Sequence, residues 1–77
     1  MDRVVGKADV QRWRRNFRDE VDGAAIYRAM ADGEPNAGLA QVYRRLGAAE
    51  ARHAQFWVGR LRRHGARVPP ARPSVRA

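Results

Sequence analysis

The sequence predicts an all-α protein, built as an antiparallel hairpin of two helices. Apolar residues recur at steps of three and four along two long stretches, one short break separates the stretches, and no strand-like alternation occurs. The chain has 77 residues, no cysteine and a formal net charge of +8. A domain of this size buries only roughly 60% of its unfolded surface. Because neither a disulfide nor a thiolate zinc site can compensate, we expect a partner to complete the core.

The chain divides into three segments. We expect residues 1–8 to be disordered, residues 9–65 to form the hairpin, and residues 66–77 to form a basic tail rich in proline and arginine. Asp9 is the expected N-cap of the first helix, which runs to about residue 31.

The break between the two periodic stretches predicts the turn. Gly33 suits the left-handed position after a helix, and Pro35 suits the first turn of the helix that follows. The second helix is expected from about residue 37 to residue 64, with Gly65 ending it.

Each helix carries an inward stripe at the spacing of a helical bundle. The first stripe consists of Val10, Trp13, Phe17, Glu20, Ala24, Tyr27 and Ala31. The second consists of Leu39, Tyr43, Leu46, Glu50, His53 and Trp57. Glu20, Glu50 and His53 stand where apolar residues belong, in the middle of the helices and far from any solvated end.

Folding the hairpin about residue 35 brings these polar residues to one level. Residues whose numbers sum to about 70 then face one another, so Glu20 lies opposite Glu50 with His53 one turn away. Unpaired buried carboxylates cost several kcal/mol each, as an order of magnitude. A bound cation is the simplest way to stabilise such a cluster.

The Glu50-x-x-His53 step places two ligands on one helix face and, with Glu20, supplies half of a four-helix carboxylate di-metal site. A two-fold dimer would supply the other half and would also bury the stripe that a lone hairpin leaves wet. Carboxylate and imidazole ligands suit iron, with manganese possible. We therefore predict a homodimer, or a higher oligomer, that forms a four-helix bundle around a di-iron site.

The run from Glu20 to Tyr27, about thirty residues before Glu50-x-x-His53, resembles the half-bundle of the ferritin-like superfamily. It is most similar to encapsulated ferritins and to the rubrerythrin-like domains of vacuolar-iron-transporter-type membrane proteins. The resemblance implies that Glu50 bridges two metals, that Glu20 and His53 are terminal ligands, and that Tyr27 hydrogen-bonds toward the site. It also implies a ferroxidase reaction, in which dioxygen oxidises Fe(II), or an iron-sensing role.

Two versions of this resemblance differ in their implications. In encapsulated ferritins, acids beside the first-helix ligand form a metal uptake site, and Asp19 and Asp22 occupy those positions here. The tail lacks the cargo peptide of that family and is similar to the linker before the membrane domain of the transporters. We therefore expect a cytoplasmic domain of an iron or manganese transporter, tethered to the membrane through a C-terminal extension.

Two functions without a metal compete with this interpretation. The +8 charge favours nucleic-acid binding, but neither a third helix nor a polar recognition face is present, so nucleic acid is not an expected partner. The other is a helical interaction module in which the tryptophans and Phe56 pack as a core and His53 has no ligand role.

Overall fold

A computed structural model describes residues 4–74 as two helices joined by a short turn. Helix α1 spans Lys7–Gly33 and helix α2 spans Ala37–Arg63, with no strand among the described residues. The all-α hairpin is therefore confirmed. Residues 1–3 and 75–77, which belong to the predicted terminal segments, lie outside the described range. Neither helix is apolar enough over a sufficient length to cross a membrane.

Helix α1 begins at Lys7, two residues before the expected N-cap. Gly6 is the N-cap, and its backbone N–H donates to Asp9 Oδ2 at 3.0 Å. Asp9 is thus the third residue of the helix, and it caps the helix by accepting the hydrogen bond of the Gly6 N–H instead of preceding the helix. Its carboxylate is buried and also pairs with Arg12 at 3.2 Å.

The turn differs from the prediction at Gly33. Gly33 is the last residue of helix α1, and the C-cap that follows it, Glu34, has an extended backbone. The one positive φ among the described residues belongs to Gly65. The left-handed conformation predicted for Gly33 is therefore wrong. Asn36 caps α2 by accepting a hydrogen bond from the Leu39 N–H at 2.9 Å, and Pro35 precedes this cap instead of entering the helix.

Helix α2 ends as the sequence predicts. Gly65 has a φ of 66°, which glycine adopts without a steric penalty. The Ala66 N–H donates to the Leu61 carbonyl at 2.9 Å, closing the last turn of the helix. This glycine reverses the chain, so that the tail runs back along the hairpin.

The core is concentrated at the open end of the hairpin, away from the turn. The buried apolar residues there are Trp13, Phe17, Ala54, Val58 and Leu61. In the half near the turn, the buried apolar residues are Ala31 and Ala40. Helix packing near the turn therefore rests on small side chains, and little apolar surface is buried there within one chain.

The inward stripe predicted for α2 is rotated in the structure. Leu39 and Leu46 are 40% and 41% exposed, whereas Ala40, Ala54 and Val58 face α1. Folding about residue 35 also predicts that Trp13 faces Trp57, and this is wrong, because Trp13 contacts residues farther along the chain. Its ring lies 5.1 Å from the His64 ring, and the Arg60 guanidinium lies 4.7 Å above it. Small residues of α2 lie against α1 where they allow a closer helix contact than leucines would.

The rotation of α2 leaves one long side of the hairpin apolar and uncovered. We call it the open face. The large apolar residues exposed on it are Ile26, Met30, Leu39, Val42, Leu46 and Phe56. On α2, Leu39, Val42 and Leu46 follow steps of three and four, which is the spacing of a second helix-packing seam.

The opposite side is covered by the tail. Residues 66–74, called the strap, lie along the groove between the helices: Val68 packs on the core cluster and Pro69 is buried. The Arg14 Nε–H donates to the Arg67 carbonyl at 3.0 Å. At its far end, the Ser74 N–H donates to Asp22 Oδ1 at 2.7 Å, and its hydroxyl donates to Asp22 Oδ2.

We expect the Ser74 contacts to hold the strap in a pH-dependent way. The Ser74 side chain and then its backbone N–H lower the pKa of Asp22. The stabilisation is therefore present above the ordinary aspartate pKa of about 3.9, and it is lost as the pH falls through the lowered pKa. At pH 7, Ser74→Ala should increase amide hydrogen exchange in residues 66–74, whereas Ser74→Thr should retain protection. Unchanged exchange in the alanine variant would contradict this role.

Candidate metal centre

Three ligand-type side chains meet halfway along the hairpin. Glu20 projects from the middle of α1, and Glu50 and His53 project from successive turns of α2. Each offers one ligand atom, and these atoms all lie within 4.8 Å of one another. His53 Nδ1 lies 3.6 Å from Glu20 Oε2. The predicted meeting of these three side chains is therefore confirmed, although the helices pair in a different register from the predicted one.

The offset can be located from side-chain contacts. Glu20 lies beside His53, and the Arg60 guanidinium covers Trp13, so facing residues have numbers that sum to about 73 instead of about 70. His53 was expected inside the stripe, but its side chain is 61% exposed. The imidazole therefore lies at the edge of the helix contact and adjoins the open face.

Two glycines make this meeting of side chains possible. A Cβ atom on Gly23 would lie 3.0 Å from Glu50 Oε2, and one on Gly47 would lie 3.4 Å from the Tyr27 Cβ. The Glu50 carboxylate thus occupies space against α1 that any other residue at position 23 would fill. Sequence reasoning missed both glycines. The available signal was that glycine inside a helix costs about 1 kcal/mol, which is tolerated where close packing requires it.

Glu50 perturbs the neighbouring carboxyl of Glu20. The pKa of Glu20 is raised, first by the hydrogen bond with Glu50, then by desolvation and by the Glu50 charge, while His53 acts in the opposite direction. Without a metal, the cluster therefore favours the protonated form of Glu20 more than an isolated glutamate would. A divalent cation bound here would compete with that proton and compensate the charge of both carboxylates.

The donor set and its surroundings fit a transition metal. Two carboxylates and one imidazole are ligands that iron and manganese accept. Three protein ligands leave coordination positions unfilled, and the exposed His53 side chain shows that the cluster opens toward the open face. The residues present can therefore hold a metal ion, and they leave space for further ligands on the side where a second chain could dock.

The remaining predicted site residues lie outside the three-residue cluster. Tyr27 stacks on Tyr43, with ring centroids 6.4 Å apart and an interplanar angle of 26°. Within residues 4–74, no hydrogen bond joins its hydroxyl to the three ligands. The Asp22 carboxylate is occupied by Ser74, and Asp19 is exposed on α1 next to Glu20.

Comparison with protein-family models gives no match to this chain. The curated proteins and the solved structures also give no match. The resemblance to the ferritin-like superfamily thus rests on the motif and on the meeting of Glu20, Glu50 and His53.

We expect Glu20→Gln to stabilise the metal-free protein at neutral pH. A carboxyl whose pKa is raised on folding adds stability below its ordinary pKa, and this stability is lost as the pH rises through the raised value. Because the cluster opens to solvent on the side of His53, solvent screens the effect, and we expect a gain of roughly 2–4 °C in Tm at pH 7. Thermal unfolding measured with a chelator at pH 7 and pH 4 provides the check, and the gain should disappear at pH 4.

Asp19→Asn is the matched control, because it removes a neighbouring carboxylate that does not belong to the cluster. Equal shifts for the two variants would show that net charge, not the carboxyl pair, determines the effect.

Proposed function

We propose that the chain binds a pair of iron ions in a site shared by two copies and that it promotes oxidation of Fe(II) by dioxygen or senses iron. The observation that carries the proposal is the meeting of Glu20, Glu50 and His53 within 4.8 Å. Manganese is the alternative metal, because it accepts the same ligands. Without metal, the same chain would act as a helical interaction module.

The incomplete ligand set supports a second copy as the partner. One hairpin offers two carboxylates and one imidazole, and a two-fold axis would double these to the four carboxylates and two imidazoles of a di-metal bundle. The open face adjoins the cluster and carries large apolar residues at seam spacing. Face-to-face docking would bury these residues and bring the two ligand sets together.

The chemistry assigns a separate role to each group. Carboxylates of Glu20 and Glu50 would stabilise the higher charge of Fe(III), while the imidazole of His53 would complete the ligand set of each chain. Iron is the substrate, and dioxygen accepts its electrons. Tyr27 lies on the turn of α1 that faces Gly47, and its ring stacks on Tyr43. We propose that this packed ring holds the neighbouring ligand side chains in position.

The cellular setting follows from the same resemblance. We propose that the chain is the metal-handling domain of an iron or manganese transporter, on the cytoplasmic side and joined to a membrane domain by its C-terminal extension. An encapsulated-ferritin-type ferroxidase is the second candidate. Asp19, which is exposed beside Glu20, favours the uptake route of that family, whereas Asp22 is engaged by Ser74.

Metal binding should stabilise the chain strongly and selectively. Under anaerobic conditions, Fe(II) at about 100 times its Kd adds roughly 2.7 kcal/mol, which raises the Tm of so small a domain by roughly 10 °C or more. Affinity should rise with pH as Glu20, whose pKa is raised, loses its proton. Admission of air should then produce the absorbance of Fe(III), and Tyr27→Ala, which removes the packed ring, should slow this step without altering Fe(II) stoichiometry.

Glu50→Gln and His53→Gln should abolish the Fe(II)-dependent shift, whereas Asp32→Asn should retain it. Asp32 is an exposed carboxylate near the turn, away from the cluster. If wild-type protein shows no shift with Fe(II) or Mn(II), the chain is a helical module without a metal site.

Dimerisation can be tested separately at the open face. We expect a wild-type mass of twice 8.7 kDa in light scattering after size exclusion. Leu46→Glu places a charge on the apolar seam and should give monomers, because a buried unpaired carboxylate costs several kcal/mol, as an order of magnitude. Gln41→Glu adds the same charge on an exposed position of α2 and should leave the dimer intact. A dimer that persists in Leu46→Glu would exclude this interface.

A further inference from the structure

The strap side of the hairpin is strongly basic, and the metal centre does not account for this charge. The strap lies against both helices, with Ala71 and Pro73 in one groove with Val21 and Ala54. Around it stand arginines from α1, from α2 and from the strap itself. These strap-side arginines are Arg14, Arg18, Arg28, Arg44, Arg62, Arg67 and Arg72.

The placement of this group follows from the contacts and from helical spacing. Arg14 bonds the strap backbone at Arg67, and Arg18 follows one turn later on the same side of α1. Arg28 and Arg44 flank the groove beyond the end of the strap. Arg62 lies one turn after Val58, which packs beneath the strap.

Within residues 4–74, no carboxylate forms an ion pair with the strap-side arginines. Among residues 4–74, the carboxylate ion pairs join Arg12 to Asp9 and His53 to Glu20, and neither involves this group. Two acids share the region. Asp22 is hydrogen-bonded by Ser74, and Asp32 lines the groove near Arg28. The side therefore carries a large excess of positive charge, most of it on exposed side chains.

The shape of this side indicates the kind of partner. The molecule is a slab of 51 × 26 × 15 Å, and from Arg14 to Arg28 the charges extend over about 21 Å of helix. Within residues 4–74, this face is formed by the two long helices and the strap, without a separate recognition helix or ribbon to enter a groove of duplex DNA. The large exposed aromatic residue, Phe56, belongs to the open face, so the strap side offers no stacking platform for single strands.

We propose that the strap side binds the anionic surface of a lipid bilayer through its arginines. A flat bilayer can contact both helices and the strap at once, and guanidinium groups recognise lipid phosphates and carboxylates. Since the large exposed apolar side chains of α1 and α2 all belong to the open face, binding through the strap side is electrostatic and reversible, without insertion. The strap contributes Arg67 and Arg72 to this face. This proposal does not depend on the metal site.

Vesicle co-sedimentation of the full chain, with a chelator present, provides the test. The probe is phosphatidylcholine vesicles with and without 30 mol % phosphatidylserine, at about 0.05 and 0.5 M salt. We expect binding to the anionic vesicles alone, and loss of that binding at high salt, where the Debye length falls to a few ångströms. The triple variant Arg18→Gln, Arg28→Gln, Arg44→Gln should weaken binding roughly 100-fold.

A control with the same loss of charge distinguishes this face from net charge. Arg15→Gln, Arg45→Gln, Arg52→Gln removes three exposed arginines from outside the strap-side group and should weaken binding severalfold at most. Circular dichroism should show equal helicity in both triple variants. Equal weakening by the two would overturn the assignment to this face.

Two further outcomes would also overturn the proposal. One is tighter binding to a 20-base-pair DNA duplex than to anionic vesicles at the same salt, which would make the partner a nucleic acid. The other is full competition by millimolar inorganic phosphate or phosphoserine, which would reduce the face to a site for small anions. Binding that resists both free anions, with no preference for the duplex, would support the bilayer as the partner.

Discussion

The close approach of the two helices at Gly23 and Gly47 is the constraint on which the rest of the structure depends. At these positions an added Cβ would meet Glu50 Oε2 at 3.0 Å and the Tyr27 Cβ at 3.4 Å. The contact brings the Glu20 and Glu50 carboxyls together, and it holds the helices too close for the leucines of α2 to pack between them. Leu39 and Leu46 therefore lie outward, at 40% and 41% exposure. The close helix contact at Gly23 and Gly47 thus produces both the polar cluster and the apolar open face.

The two long sides of the hairpin are consequently different surfaces. The strap covers one side: Val68 and the buried Pro69 add to the small core at the open end of the hairpin. The other side has no such cover from residues 4–74 and carries the exposed apolar seam. This asymmetry determines where a second chain could dock, because the strap already occupies the alternative groove. It also directs the strap-side arginines away from that interface.

Helical periodicity and the Glu-x-x-His step were sufficient to predict the hairpin and to select Glu20, Glu50 and His53. They could not predict the rotation of α2, because Leu39 and Ala40 both fit a helical stripe and only the glycine contact decides which of them faces α1. They also could not predict the docked strap. A segment rich in proline and arginine has no periodicity, and its position depends on Gly65 reversing the chain and on Asp22 accepting hydrogen bonds from Ser74.

Under the proposed function, metal binding and dimerisation are thermodynamically coupled. Within one chain, the neighbouring Glu50 carboxyl raises the pKa of Glu20, so a negative charge on Glu20 is already disfavoured. A second copy docked on the open face would place two more carboxylates nearby, so electrostatic repulsion opposes the dimer that apolar burial favours. Divalent ions would remove that repulsion and gain ligands from both chains. By reciprocity, the factor by which the metal strengthens the dimer equals the factor by which dimerisation raises metal affinity.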